Sequence, residues 1–167
     1  MEVHAILNTH AHYDHIGAVE YLKSKYSIPF YLHSNDEKLL KSANLYIKIF
    51  DGTELIKIPE VDYYYDMIKN RIIISDFSID VLFTPGHTIG SVCLIIEKCI
   101  FTGDTLLDGK IGRTDLPGGD EKSLKNSLKL ISKLPKNFTI YSGHGRSTSI
   151  EKQLKYNKNF IEILNWA

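Results

Sequence analysis

The spacing of apolar residues changes several times along the chain, and each change predicts a new helix or strand. The first helix-spaced set ends before Pro29. Its members are Ile16, Val19, Leu22 and Tyr26. A short strand is expected at residues 30–32, followed by a helix that Ser34 caps and that runs to about Ser42. Strand and helix alternating in this way predict a layered α/β architecture.

The middle of the chain predicts an antiparallel meander of short, closely spaced β-prone runs. These runs cover residues 71–74, 79–83, 92–96 and 99–102. Ahead of them, residues 44–66 show no regular period. The aromatic run at residues 63–65 predicts partly buried tyrosines, with a substrate-contacting loop as the alternative.

The last third of the chain returns to helical spacing. Asp120 is expected to open a helix that Pro135 ends, with one apolar face. That face consists of Leu124, Leu128, Ile131 and Leu134. A strand at residues 138–142 and a final helix over residues 150–164 complete the pattern. Since 167 residues suit one core and are too few for two, a single domain over residues 1–167 is expected.

Composition narrows the classes of protein. Twenty basic and twenty acidic residues cancel, which argues against a nucleic-acid partner. No apolar run approaches the roughly 20 residues of a membrane span, and the first residues lack a signal pattern, so a cytoplasmic protein without membrane contact is expected. Cys93 and Cys99 lie in apolar runs and are expected to be reduced core residues.

Four potential metal ligands fall within six residues: His10, His12, Asp14 and His15. The apolar residues before them predict a strand over residues 3–7, and alternate positions of an extended chain point the same way. His10 and His12 are therefore expected on one side. Imidazole and carboxylate suit zinc or iron. The alternative is a polar network or a surface loop without a metal.

Three further candidates each follow a short strand pattern and lie beside a glycine: His87, Asp104 and His144. Glycine lets backbones approach closely, so these strand ends are expected to present their side chains to one cavity. Together with the first four, they make seven candidate ligands.

The order of these motifs resembles the metallo-β-lactamase superfamily, from the His-x-His-x-Asp-His signature to the last histidine. The resemblance implies an αββα sandwich and two divalent ions. His10, His12 and His87 would hold the first, and Asp14, His15 and His144 the second. Asp104 would bridge them. Asp14 and Asp104 are the expected catalytic carboxylates. Zinc is the expected metal, with iron or manganese as alternatives.

A metal-bound hydroxide, available at neutral pH, is the expected nucleophile of this hydrolase. Residues 112–120 resemble the hydroxyacylglutathione hydrolase (glyoxalase II) branch, in its short bacterial form. The implied small-molecule substrate is a thioester, with Arg113 pairing with a substrate carboxylate or, alternatively, tying down its own loop. Two other hypotheses are an iron-dependent persulfide dioxygenase and a truncated, non-catalytic metal-binding fragment.

Members of this superfamily usually have several strands before the signature, whereas here residues 3–7 allow only one. We therefore expect an N-terminally shortened sandwich with one sheet short of strands. An open sheet edge invites pairing with another chain. The expectation is a homodimer, or a partner chain that completes the sheet.

Overall fold

The computed structural model of the protein describes residues 2–52, 54–68 and 71–165. Its strands are β1 (Ile6–Leu7), β2 (Phe30–Leu32), β3 (Tyr63–Tyr64), β4 (Ile72–Ile74), β5 (Phe77–Phe83), β6 (Val92–Ile96), β7 (Cys99–Gly103), β8 (Leu106–Leu107), β9 (Lys110–Ile111), β10 (Thr139–Ser142) and β11 (Thr148–Ser149). Its α-helices are α1 (Tyr13–Ile16), α2 (Val19–Tyr26), α3 (Glu37–Lys41), α4 (Ala43–Tyr46), α5 (Glu121–Ile131), α6 (Ile150–Tyr156) and α7 (Lys158–Asn165). Shorter turns of 3₁₀ helix lie at Ser34–Asp36 and Tyr65–Met67, and a π-helical turn lies at Ile47–Asp51.

Two sheets dominate the fold. The smaller has the order β1-β2-β3, with all strands parallel. The larger has the order β11-β10-β7-β6-β5-β4, antiparallel except where β10 runs parallel to β7. β8 and β9 form a separate hairpin. The predicted meander is confirmed as β4 to β7, because each apolar run pairs antiparallel with the next.

Three apolar clusters hold the layers together. Ile16, Phe30 and Leu40 belong to the cluster that packs the N-terminal helices on the smaller sheet. A second cluster, around Tyr65, Ile79 and Leu94, fills the space between the sheets. The third joins the larger sheet to α5, α6 and α7. Its fully buried side chains include Ile100, Leu128, Ile140 and Phe160. The order of layers is helix, sheet, sheet, helix, which confirms the predicted sandwich.

Several local predictions need correction. The helix expected from Ile16 to Tyr26 is broken into α1 and α2 at residues 17–18, where glycine disfavours a helix. Ser34 does not cap its helix, because its hydroxyl donates to Asp66 over 2.8 Å. The 3₁₀ turn at Ser34–Asp36, which precedes α3, is capped by the His33 side chain, which accepts from the Asn35 backbone N–H.

The irregular segment expected at residues 44–66 is partly helical, since α4 and the π-helical turn cover residues 43–51. The final helix is divided by Asn157, whose extended backbone ends α6 and whose side chain accepts from the Phe160 backbone N–H at the start of α7. The start of the helix at Asp120 is confirmed, because that carboxylate accepts from the Ser123 backbone N–H over 2.7 Å, but α5 ends at Ile131, before Leu134 and Pro135.

The strand expected at residues 3–7 is confined to β1, two residues long, at one edge of the smaller sheet. Pairing of that edge with another chain stays a prediction. Cys93 and Cys99 are both free, and burial raises the pKa of the Cys93 thiol to about 12. In the described part of the chain, no helix is both long and apolar enough to span a membrane.

Candidate metal centre

The seven candidate ligands lie on segments that follow the ends of four strands. His10 and His12 follow β1, and α1 then carries Asp14 and His15. The remaining three follow β5, β7 and β10, and are His87, Asp104 and His144. The Asn8 side-chain amide fastens the first loop, because it donates to the backbone carbonyls of His10 and His15 over 3.3 and 3.1 Å.

The structure brings these seven residues together in three overlapping groups, in each of which the ligand atoms lie within 4.8 Å of one another. The groups are His10-His12-His87, His10-His15-Asp104 and Asp14-His15-His144. Burial differs strongly between them. The first group is buried, whereas His144 and Asp14 have 56% and 41% of their side-chain surface exposed. Solvent therefore reaches the cluster from the side of Asp14 and His144.

Asp104 lies between the buried group, His10-His12-His87, and the more exposed group, Asp14-His15-His144. Its Oδ1 is 3.6 Å from Nε2 of His15, and its Oδ2 is 3.8 Å from Nε2 of His87 and 3.5 Å from Nε2 of His144. Thus one carboxylate faces an imidazole of the buried group and two of the more exposed group. This is the position that a carboxylate shared by two cations would take.

Among the residues that the structure describes, two buried polar atoms inside the cluster have no hydrogen-bond partner: Nε2 of His10 and Oδ1 of Asp104. An unpaired buried polar atom is costly, so such atoms call for a missing partner. His87 is oriented by its other nitrogen, since Nδ1 donates to the Arg113 carbonyl over 2.9 Å, and this leaves Nε2 facing the cluster, 2.9 Å from Nδ1 of His12. These residues therefore fit divalent ions.

The protonation of the imidazoles agrees with this fit. Burial lowers the pKa of His10 well below its usual value, and the neighbouring histidines lower it further. Burial, followed by the nearby His87, lowers the pKa of His12 to about 4. Burial also lowers the pKa of His15, against the opposing effect of Asp104 and Asp14. His10, His12 and His15 are thus neutral near pH 7, the form that binds metal.

Glycines at the strand ends make this crowding sterically feasible, as the sequence predicted. A Cβ on Gly143 would overlap the carboxylate of Asp104 and the ring of His15. Gly103 has φ of +49°, and a Cβ there would overlap the Thr9 side chain. A larger residue at either position would push the loops apart.

A cavity of about 280 Å³ opens over the cluster. Besides cluster residues, its wall contains Tyr13, Leu39, Tyr46, Phe50, Arg113, Leu116 and Pro117. The Arg113 guanidinium contacts both carboxylate oxygens of Asp115 over 2.7 Å, and this contact lowers the pKa of Asp115 to about 2. Arg113 thus lies where the sequence placed a substrate contact, but is paired with an acid of its own loop.

Sequence reasoning missed part of this wall. Tyr46 and Phe50 come from the segment read as irregular, and their rings stack 6.2 Å apart. Their spacing of four residues was the available signal, because side chains that far apart share one face of a helical turn. The tyrosines at residues 63–65 lie elsewhere: β3 carries two of them, and Tyr65 is buried between the sheets.

Comparison with known proteins gives the family. The metallo-beta-lactamase superfamily matches residues 1–144. The chain belongs to the metallo-beta-lactamase superfamily. Within it, "Probable metallo-hydrolase YqgX" of Bacillus subtilis is 39% identical over 87% of this chain and 70% of that protein. "Hydroxyacylglutathione hydrolase GloC" of Haemophilus influenzae is 28% identical over 94% of this chain and 76% of that protein.

Two solved structures agree with the fold. BLEG-1, described as a B3 metallo-beta-lactamase, superposes with a TM-score of 0.87 at 37% identity, covering 94% of this chain and 77% of its own. TTHA1623, described in a di-iron-bound form, has a TM-score of 0.83 at 35% identity, covering 93% of this chain and 76% of its own. Superfamily membership and the converging donors make this a metal-binding protein.

Proposed function

We propose that this protein is a dinuclear metallohydrolase that cleaves thioesters, with a hydroxyacylglutathione-like compound as the substrate class. The observation that carries the proposal is the seven-residue cluster at the base of an open cavity. Seven donors exceed the three or four that one tetrahedral site uses. His10, His12 and His87 would hold one ion, Asp14, His15 and His144 the other, and Asp104 would touch both.

Divalent ions held there supply a Lewis acid for a carbonyl and lower the pKa of water towards 7. The residues of the protein hold and orient the side chains that would bind the ions. The Arg113 carbonyl accepts a hydrogen bond from Nδ1 of His87 and so orients that imidazole, and Oδ2 of Asp14 lies 3.0 Å from Nε2 of His144, so both atoms would face the same ion. The exposure of Asp14 and His144 leaves that side open to a substrate carbonyl.

The cavity wall supports an acyl substrate. Leu39, Leu116 and the stacked rings of Tyr46 and Phe50 offer an apolar surface beside the cluster. Such a surface contacts an acyl chain and excludes water from the reacting carbonyl. Arg113 is the proposed partner of a substrate carboxylate, for which it must exchange Asp115. The name of GloC, a relative at 28% identity, supports the thioester class.

The test is a substrate panel assayed by thiol release, before and after chelation. It contains a hydroxyacylglutathione, an uncharged acyl thioester and, because of the description of BLEG-1, a β-lactam followed by its absorbance. We expect chelator-sensitive cleavage of one or both thioesters. Cleavage of the β-lactam alone, or thioester cleavage that survives complete metal removal, would contradict the proposal.

A second candidate is an iron-dependent persulfide dioxygenase, because residues 112–115 form the Gly-Arg-Thr-Asp stretch that resembles that class. TTHA1623, which is 35% identical to this chain, is described in a di-iron-bound form, and imidazole with carboxylate suits iron as well as zinc. Oxygen uptake with glutathione persulfide separates the two candidates. Persulfide-dependent oxygen consumption without thioester cleavage would favour the dioxygenase.

A further inference from the structure

Asp36, which the sequence offered only as part of a helix start, is a fully buried carboxylate between two of the metal-ligand loops. It ends the 3₁₀ turn after β2, and its exposed fraction is 0%. It does not line the cavity of the metal cluster. A charged residue without solvent contact is rare unless its oxygens are paired, so its partners indicate its role.

The two carboxylate oxygens of Asp36 accept three hydrogen bonds, which come from two different loops. Oδ2 accepts from the Ala11 backbone N–H over 2.9 Å, between His10 and His12. Oδ2 also accepts from the Thr88 hydroxyl over 2.8 Å, directly after His87. Oδ1 accepts from the Gly90 backbone N–H over 2.8 Å. One side chain therefore joins the loop of His10 and His12 to the loop of His87.

The glycine at position 90 shows how close this approach is. A Cβ there would lie 2.6 Å from Oδ1 of Asp36, a separation that real Cβ atoms do not show. Thr88 is held further by Ser91, whose hydroxyl lies 2.8 Å from the Thr88 hydroxyl. Across the joined loops, Nδ1 of His12 lies 2.9 Å from Nε2 of His87.

We propose that Asp36 is a positioning residue that fixes the His12–His87 separation and so sets the affinity of the buried group for its ion. None of its three hydrogen bonds reaches the loop of Asp14 and His15 or the loop of His144. Loss of Asp36 should therefore weaken the binding of one of the two ions. This inference rests on the proposed dinuclear site.

The test is zinc titration of the metal-free protein against a competing chelator, which needs no substrate. Asp36→Asn has nearly the same size, but its NH2 group cannot accept a hydrogen bond, so one backbone N–H, of Ala11 or Gly90, loses its partner. Substitution of a residue that supports a metal ligand through hydrogen bonds, without binding the ion itself, typically lowers metal affinity by about 10–100-fold. We expect a loss in that range for one ion, and little change for the other.

Asn157→Ala is the matched control. Asn157 is also fully buried and also makes three hydrogen bonds, to Lys110, Gln153 and Phe160, none of which lines the cavity. Thermal unfolding of both metal-free variants measures their loss of stability. If Asp36→Asn does not fold, Thr88→Val, which removes one donor, carries the test with a smaller loss in the same direction.

Equal zinc affinity in Asp36→Asn and the unsubstituted protein would overturn the proposal. So would an equal loss in Asn157→Ala, because the effect would then follow stability rather than position. Failure of the proposed function has a different signature, since the unsubstituted protein itself would then bind fewer than two ions.

Discussion

Gly143→Ala changes the metal centre through one added methyl group. A Cβ at this position overlaps the Asp104 carboxylate and the ring of His15. To reach ordinary van der Waals contact, the carboxylate or the loop after β10 must move by about 1 Å, and a misplacement of that size can cost roughly 100-fold in rate. We expect about that loss in kcat/KM for the thioester, together with reduced metal content.

Gly145→Ala, two residues further on, is the control. Gly145 has φ of +91°, so alanine is strained there, but a Cβ would meet no atom of the described part of the chain within 4 Å. A residue held in that backbone region costs about 1–3 kcal/mol, so thermal stability should fall while kcat/KM stays nearly unchanged. Steady-state kinetics and elemental analysis of both variants decide the matter. Full activity and metal content in Gly143→Ala, or an equal loss of activity in both, would refute the reasoning.

Three further predictions concern the shared carboxylate, the cavity wall and the core. Asp104→Ala should reduce thioester cleavage to the background rate. Arg113→Ala should keep kcat and raise KM for an anionic substrate by about tenfold, which is the effect expected from losing one charge-assisted contact. Kinetics with the reverse outcome would exclude the metal-centred mechanism. Phe50→Ala should lower the preference for a hexanoyl over an acetyl thioester by about fivefold, as expected for about 1 kcal/mol of apolar contact, and an unchanged preference would remove Phe50 from the acyl site. Leu128→Ala, at a side chain with 0% exposure, should cost about 2–5 kcal/mol in denaturant unfolding without changing metal stoichiometry, and altered stoichiometry would mean that the core and the site are coupled.

Most of the metal cluster could be predicted from the sequence, because four of its seven ligands lie close together along the chain. His10, His12, Asp14 and His15 lie within six residues, so one loop determines their placement. The strand patterns before His87 and Asp104 are confirmed as β5 and β7, which places both residues at strand ends. Glycine beside His87, Asp104 and His144 indicated close approach, and Gly143 shows it directly.

What the sequence did not reveal depends on partners far along the chain. Ser34 has a local capping pattern, but Asp66, 32 residues later, takes its hydroxyl. Asp36 joins loops 25 and 52 residues away, which no local pattern encodes. Tyr46 and Phe50 have the four-residue spacing of a helical turn, but the segment around Ile47–Asp51 was interpreted as irregular, so Phe50 was not expected at the cavity.

Return of zinc to the chelated protein, with thiol release from a thioester followed at each addition, tests the central claim most directly. The seven-residue cluster predicts that activity is absent without metal and reaches its plateau at two ions per chain. Thioester cleavage that is unaffected by chelation, or that saturates at one ion per chain, would contradict a dinuclear hydrolase.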